Sequence, residues 1–192
     1  MDLWRKEVYY NFSMKYYTLK ICGFERRLPI IKIGSRLAVA SFSLLGDVEL
    51  VDVLAAELVE RIKYLDFDYL IATEVKVLPL VYQMSRLLGS KHYIVVRKKI
   101  LSYMTQSIKS DGHYPLVLNG KDAQLLREKK VILIDDVVAT GKTMKEIENL
   151  MGKAGAKIVA TACVLKQGDL QVKIDQPIFY LEQLPFFERS KG

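Results

Sequence analysis

Four consecutive apolar residues, Val131-Ile132-Leu133-Ile134, end on two adjacent carboxylates, Asp135 and Asp136. A run with no polar alternation reads as a strand buried on both faces, the pattern of an inner strand in a parallel sheet. A short segment containing Thr140-Gly141-Lys142-Thr143 follows, and from Thr143 to Lys153 apolar residues recur at helical spacing, with Met144, Ile147, Leu150 and Met151 on one face. Gly155 marks the end of that helix, and Lys157 to Leu165 is a second strand rich in β-branched residues. A strand, a tight loop, a helix and a further strand make one parallel crossover unit.

The same alternation is found upstream. Asp68 to Thr73 is a short apolar strand, Lys76 to Leu88 a helix stopped by Gly89, and His92 to Arg97 another strand. Val48 to Leu65 reads as a long amphipathic helix carrying Val51, Leu54, Ala55, Leu58 and Ile62. The fold class expected is α/β, a parallel β-sheet flanked by helices. Residues 1 to 46 are aromatic-rich and β-prone, with turn signals at Gly23, Pro29 and Gly34, and the tail after Pro177 carries a short aromatic strand and Leu184-Pro185-Phe186-Phe187. One domain over 1–192 is expected, with a core of about 45–170 and a small hood built from about 1–44 and 171–192. Residues 98 to 128 show weak periodicity between two strands. A connection well beyond about 12–15 residues suggests a lid or binding loop, with a hairpin strand over Tyr114–Leu118.

The loop between Asp136 and the helix has a chemical meaning. The first turn of a helix offers unpaired N–H groups and the positive end of the peptide dipoles. Ala139 to Thr143 therefore presents backbone donors and two hydroxyls to an anion such as phosphate. Gly141 permits close approach. A Walker-type phosphate loop needs another glycine five positions earlier, and Asp136 stands there. Two carboxylates beside a phosphate cradle are acceptors suited to vicinal hydroxyls, so phosphate and hydroxyls together point to a ribose 5-phosphate.

Other chemistries find little support. The two cysteines, Cys22 and Cys163, and two histidines, His92 and His113, have no metal-ligand spacing. Cys163 lies in an apolar run and is read as core. No serine-elbow motif offers a covalent nucleophile. The net charge of +7 favours polyanionic partners without choosing among them. No apolar run is long enough for a bilayer and no signal-peptide pattern opens the chain, so a soluble cytoplasmic protein is expected, with no membrane partner.

Residues 131 to 143 resemble the PRPP-binding motif of type I phosphoribosyltransferases, where PRPP is 5-phosphoribosyl-1-pyrophosphate. The resemblance runs from about residue 45 to 165 and is nearest to the adenine phosphoribosyltransferase-like and phosphoribosyltransferase-related members. It implies the type I fold and transfer of the phosphoribosyl group to a nucleobase, a purine by the adenine-like spacing, with release of pyrophosphate. Asp135 and Asp136 then hold the ribose hydroxyls, and Val137, Val138, Ala139, Thr140, Gly141, Lys142 and Thr143 line the PRPP site. Mg²⁺ is the implied cofactor, held mainly through PRPP with Asp135 and Asp136 as protein ligands, and a homodimer is the implied assembly. Thr73-Glu74-Val75-Lys76 matches the pyrophosphate loop, whose family form is Glu-Ala-Arg-Gly, so Glu74, Val75 and Lys76 are expected at pyrophosphate. Asp135, Asp136 and Lys76 are the implied catalytic residues. Arg97 and Lys98 resemble the Arg-Lys that opens the family's flexible loop, and are expected to reach pyrophosphate.

The sequence departs from this pattern at several positions. Lys76 and Val77 replace the Arg and Gly of the adenine motif, and Lys142 stands where purine enzymes commonly carry glycine. Ile100 to Met104 differs from the family's Gly-Lys-Leu-Pro run, and Leu116 to Gly120 lacks the loop glutamate. For the base, Val137 and Val138 are candidate floor residues. Phe24, Tyr180, Phe186 and Phe187 are candidate stacking partners, and Arg26 and Arg27 candidate donors to a base carbonyl or a PRPP phosphate. The alternative is a non-catalytic PRPP-binding regulator that binds nucleic acid. The charge and the missing glutamate fit it, while residues 1 to 46 show no helix-turn-helix pattern.

Overall fold

The computed structural model describes residues 15–33, 37–112, 115–170 and 172–188. The described residues open with strands β1 (Tyr16–Ile21), β2 (Phe24–Ile33) and β3 (Leu37–Ala40), then helix α1 (Val48–Ile62). Strand β4 (Tyr69–Thr73), helix α2 (Leu78–Leu87) and strand β5 (Ile94–Val96) follow. Two short strands, β6 (Ile108–Lys109) and β7 (Val117–Leu118), and helix α3 (Gly120–Leu125) lead to strand β8 (Lys130–Val138). Helix α4 (Lys142–Ala154) and strands β9 (Lys157–Gln167), β10 (Ile178–Leu184) and β11 (Phe187–Glu188) complete the chain.

The main sheet has the order β10-β9-β8-β4-β5, all strands parallel. Both faces of its central strand are covered, as the apolar run requires. Ile132 and Ile134 pack with α1 and α2, while Val131 and Leu133 pack on the opposite side with Met144, Ile147 and Leu150 of α4. All four strand residues are fully buried. Each such side chain contributes roughly 1.5–3 kcal/mol of transfer free energy.

The strand order locates the functional end. From β4 the chain crosses to β5 on one side, and from β8 it crosses to β9 and β10 on the other. The neighbouring C-terminal ends of β4 and β8 thus open a crevice at a topological switch point, where ligands of open α/β sheets bind.

The small second sheet has the order β1-β2-β3-β11, so the described N-terminal strands and Phe187–Glu188 form a hood together. Leu19, Ile21 and Leu28 anchor it in the same apolar cluster as α1. The C-terminal segment is divided, however. β10 extends the main sheet beside β9, and only β11 joins the hood. Pro29 is not at a turn but inside β2. Its carbonyl accepts from the Ser41 N–H at 2.8 Å, and Ile30 beside it donates to the Lys15 carbonyl. Gly23 does turn the chain, with φ of +82°. Gly34 lies outside the described residues.

The stretch from 98 to 128 is less open than expected. β6 and β7 pair, Arg97 bridges to Val117, and Leu118 and Leu126 are fully buried. Of the hairpin strand expected over Tyr114–Leu118, the structure realises Val117–Leu118; Tyr114 lies outside the described residues. Residues 98 to 107 are left as the irregular part.

Candidate functional site

Two loops meet at the crevice. The first is Glu74 to Val77, after β4. The helix expected from Lys76 begins only at Leu78, because Pro79 fits the first turn of a helix and not its interior. Residues 74–77 are thereby left as a turn that lines the crevice, and the Glu74–Val75 peptide is cis.

The second loop follows β8, which runs three residues beyond Asp135, to Val138. Gly141 is the N-cap of α4 with φ of +76°, a conformation that suits glycine. Lys145 is the first residue to close a helical bond, to the Gly141 carbonyl at 3.0 Å. Ahead of it the Lys142 N–H donates to Thr140 Oγ1 at 3.4 Å, and the amides of Thr143 and Met144 are the donors that a helix start leaves without a helical partner. The N-cap itself, a glycine, supplies no side-chain cap to α4. A Cβ on Gly141 would also come within 2.9 Å of Val172, 3.3 Å of Leu170 and 3.6 Å of Ile174. The β9–β10 connection thus lies as an apolar clasp against the back of the loop.

Between the loops is a cleft of about 270 Å³, lined by Thr73 to Val77, Lys98, Leu116, Asp135, Asp136, Val137 and Thr143. A smaller recess of about 120 Å³ continues along Val138, Ala139, Thr140 and Gly141. Both share Asp135, Val137 and Thr143. Of the residues that the sequence nominated, Glu74, Val75, Lys76, Lys98 and Asp135 to Gly141 with Thr143 therefore line these two adjoining hollows. Lys142 is exposed at the first position of α4, at the rim.

The carboxylates differ in environment. Burial, and next the charge of Asp136, push the Asp135 carboxyl up to about 8. Burial pushes the Cys163 thiol up to about 12, with the charge of Asp135 next. That thiol is fully buried and is a core group, not a nucleophile. Burial would raise the Glu74 carboxyl too. The Lys98 N–H and the Arg97 guanidinium outweigh it and hold the group below its ordinary value. The Lys76 ammonium lies 3.5 Å from the Phe42 carbonyl.

Several nominated residues stand elsewhere. Arg97 does not line the cleft; it pairs with Glu74 at 3.0 Å. Arg26 is bound to Asp47, the N-cap of α1, at 2.7 Å, and Arg27 lies over the Tyr16 ring. Phe24 stacks under Arg26, and Phe187 meets Tyr17 edge-on at 5.6 Å. Tyr180 accepts from Gln183 and carries Lys166 over its ring, while Phe186 covers Gly168. These aromatics and arginines serve the hood and the sheet edge, and none lines the cleft among the described residues. Thr73, Val77 and Leu116 were missed as lining residues. The first two belong to the pyrophosphate-loop segment itself, which was the available signal.

Residues 46–189 match the family model of the phosphoribosyl transferase domain. The chain belongs to that family. It is 33% identical over 114 residues to the adenine phosphoribosyltransferase of Petrotoga mobilis, covering 56% of this chain and 63% of that protein. It is 27% identical over 131 residues to the hypoxanthine/guanine phosphoribosyltransferase of Methanotorris igneus, covering 66% and 69%. The match thus takes in less than two thirds of the Petrotoga protein's length. The fold is that of solved adenine phosphoribosyltransferases. The enzyme of Thermoanaerobacter pseudethanolicus aligns with a TM-score of 0.66 at 23% identity, covering 81% of this chain and 95% of that one. The Trypanosoma brucei enzyme, solved with AMP, pyrophosphate and ribose-5-phosphate, aligns with a TM-score of 0.61 at 19% identity, covering 88% and 76%.

Proposed function

We propose that this protein transfers the 5-phosphoribosyl group of PRPP to a purine base and releases pyrophosphate. The observation that carries this reading is the pair of adjoining hollows that meet at Asp135, Val137 and Thr143, one reaching the 74–77 turn and the other the amide-rich start of α4. PRPP has three features in the same order: pyrophosphate, vicinal hydroxyls and 5-phosphate. The names of the relatives, adenine and hypoxanthine/guanine phosphoribosyltransferase, support a purine.

In the reaction a ring nitrogen of the base bonds to the anomeric carbon. The carbon–oxygen bond to pyrophosphate breaks, and its electron pair leaves with pyrophosphate. Lys76 and Lys98 are the cleft's cations for that growing negative charge. Asp135 and Asp136 accept from the ribose hydroxyls, and the loop Ala139–Thr143 with Lys142 holds the 5-phosphate. Residues 98–107 are the segment that closes over the site and excludes water.

The reading includes Mg²⁺ and a homodimer. Among the described residues no group of three His, Cys, Asp or Glu side chains forms a metal cage. Two adjacent carboxylates suit a Mg²⁺ that keeps water and substrate phosphate in its shell. Asp135 and Asp136 would hold it, through PRPP, and bound there it supplies positive charge at pyrophosphate. Among the described residues no helix is long and apolar enough to cross a membrane.

The test is calorimetric titration of PRPP with Mg²⁺ into the wild type and the Asp135→Asn, Asp136→Asn double variant. The wild type binds, and the variant, still folded by circular dichroism, does not. Unchanged affinity in the folded variant overturns the assignment of the ribose site.

A further inference from the structure

Glu74 is a carboxylate in the wall of a cleft read as a polyanion site. Left ionised and free, it would repel pyrophosphate. Both its oxygens are engaged instead. Oε2 accepts from Arg97 Nη1 at 3.0 Å, and Oε1 accepts from the Lys98 backbone N–H at 2.9 Å. The Glu74 N–H also donates to the Val96 carbonyl at 3.0 Å, which carries the β4–β5 ladder one residue into the turn.

The other side of the junction is fixed too. Arg97 exchanges both backbone bonds with Val117, at 2.8 and 2.7 Å. Arg97 is thus held by its backbone on one strand and by its guanidinium on another. Lys98 is the next residue, and the first of the irregular segment to line the cleft. Among the described residues no ion pair engages Lys98 or Lys76. The side chains of Glu74 and Arg97 are 18% and 29% exposed, so their pairing is more sheltered than a surface ion pair.

We infer that Glu74 is a positioning residue: it neutralises Arg97, anchors the Lys98 amide, and so presents the Lys98 side chain to the pyrophosphate end of the cleft. The inference rests on the PRPP reading of the site, and it changes the roles given to this cluster. Glu74 touches no phosphate, Arg97 is its counter-ion, and the cations offered to the ligand are Lys76 and Lys98. The carboxylate also sets where the closing segment begins, because the chain is pinned through residue 98 and released after it.

Two measurements test it, one of them without ligand. Amide hydrogen exchange read on peptides covering 97–104 should accelerate about tenfold or more in Glu74→Ala, while peptides from β8 and α4 are unchanged. Glu74→Gln keeps an acceptor for the Lys98 N–H and should show less than about a threefold change. Equal exchange in all three proteins overturns the clamp, whatever PRPP does.

The second measurement is a double-mutant cycle in PRPP affinity, by calorimetry with Mg²⁺. Glu74→Ala should weaken PRPP about tenfold, the scale of one charge-assisted hydrogen bond. In a Lys98→Ala background the same change should cost less than about twofold, since the side chain that it positions is gone. A full tenfold loss in both backgrounds means Glu74 acts independently of Lys98 and overturns the proposal. Absence of PRPP binding to the wild type would remove the reading of the site and leave the clamp to be decided by the exchange data.

Discussion

The Asp136 backbone N–H donates to Oδ1 of Asp135 at 2.9 Å, and the Val137 N–H donates to Oδ1 of Asp136 at 2.9 Å. The paired carboxylates are each tied to the strand that carries them. These two bonds hold each carboxylate against its own backbone.

That arrangement predicts a pH dependence. Burial, with the charge of Asp136, raises Asp135 from its ordinary value of 3.8 to about 8. Between those values the folded chain holds a proton that the unfolded chain has lost. Stability therefore falls as pH rises through this window. Asp135→Asn cannot ionise and lacks this slope. Urea denaturation of both proteins at about pH 5 and about pH 8 should show the wild type losing stability relative to the variant at the higher pH. A wild type that gains stability relative to the variant contradicts the assignment.

Gly141 meets two constraints, a φ of +76° and the side chains of Val172, Leu170 and Ile174 behind it. Gly141→Ala should cost about 1–2 kcal/mol from the backbone conformation alone, and more from the 2.9 Å approach to Val172. Adding Val172→Ala should restore the packing part and leave the backbone part. Chemical denaturation of the single and double variants measures both.

The hood makes a contrasting prediction. Asp47 caps α1 through the Leu50 N–H at 3.2 Å and pairs with Arg26 at 2.7 Å. The hydrogen bond from Arg26 leads the causes that hold the Asp47 carboxyl below its ordinary value. The stability it contributes is therefore present above that value and is lost as pH falls through the depressed one. Asp47→Ala should destabilise by about 1–2 kcal/mol at neutral pH, and thermal or urea melts report it. PRPP affinity should not change, since neither residue lines the cleft.

Lys142 is a cation at the positive end of a helix, which is locally unfavourable by about 0.3–1 kcal/mol. Among the described residues no carboxylate pairs with it. In the proposed PRPP site a bound 5-phosphate would offset that cost. Lys142→Ala should leave stability unchanged or slightly raised and weaken PRPP several-fold, read from melting and titration of the same sample.

What the sequence reveals about this molecule follows from how local each cause is. The run Val131–Ile134, the carboxylates that end it and the helix after Gly141 are local, and they were readable together. The loop after β8 was readable from its own residues, and the 74–77 turn only through the family resemblance. The pairing of Glu74 was not readable. Its partners lie 23 and 24 residues away, and only the pairing of β4 with β5 brings them together. Arg26 was misjudged for the same reason, since its counter-ion Asp47 is 21 residues on. Pro29 suggested a turn, yet its carbonyl and its neighbour's N–H suffice to hold β2 in place. The region 98–128 looked structureless because its strands are two residues each, too short to show a period.

The most direct measurement is pyrophosphate release from PRPP and Mg²⁺, with adenine, hypoxanthine, guanine, xanthine, uracil and orotate supplied one at a time. Release that depends on one or more of the purines is the predicted result. Tight PRPP binding with no release for any base would contradict transferase activity and favour a PRPP-binding regulator.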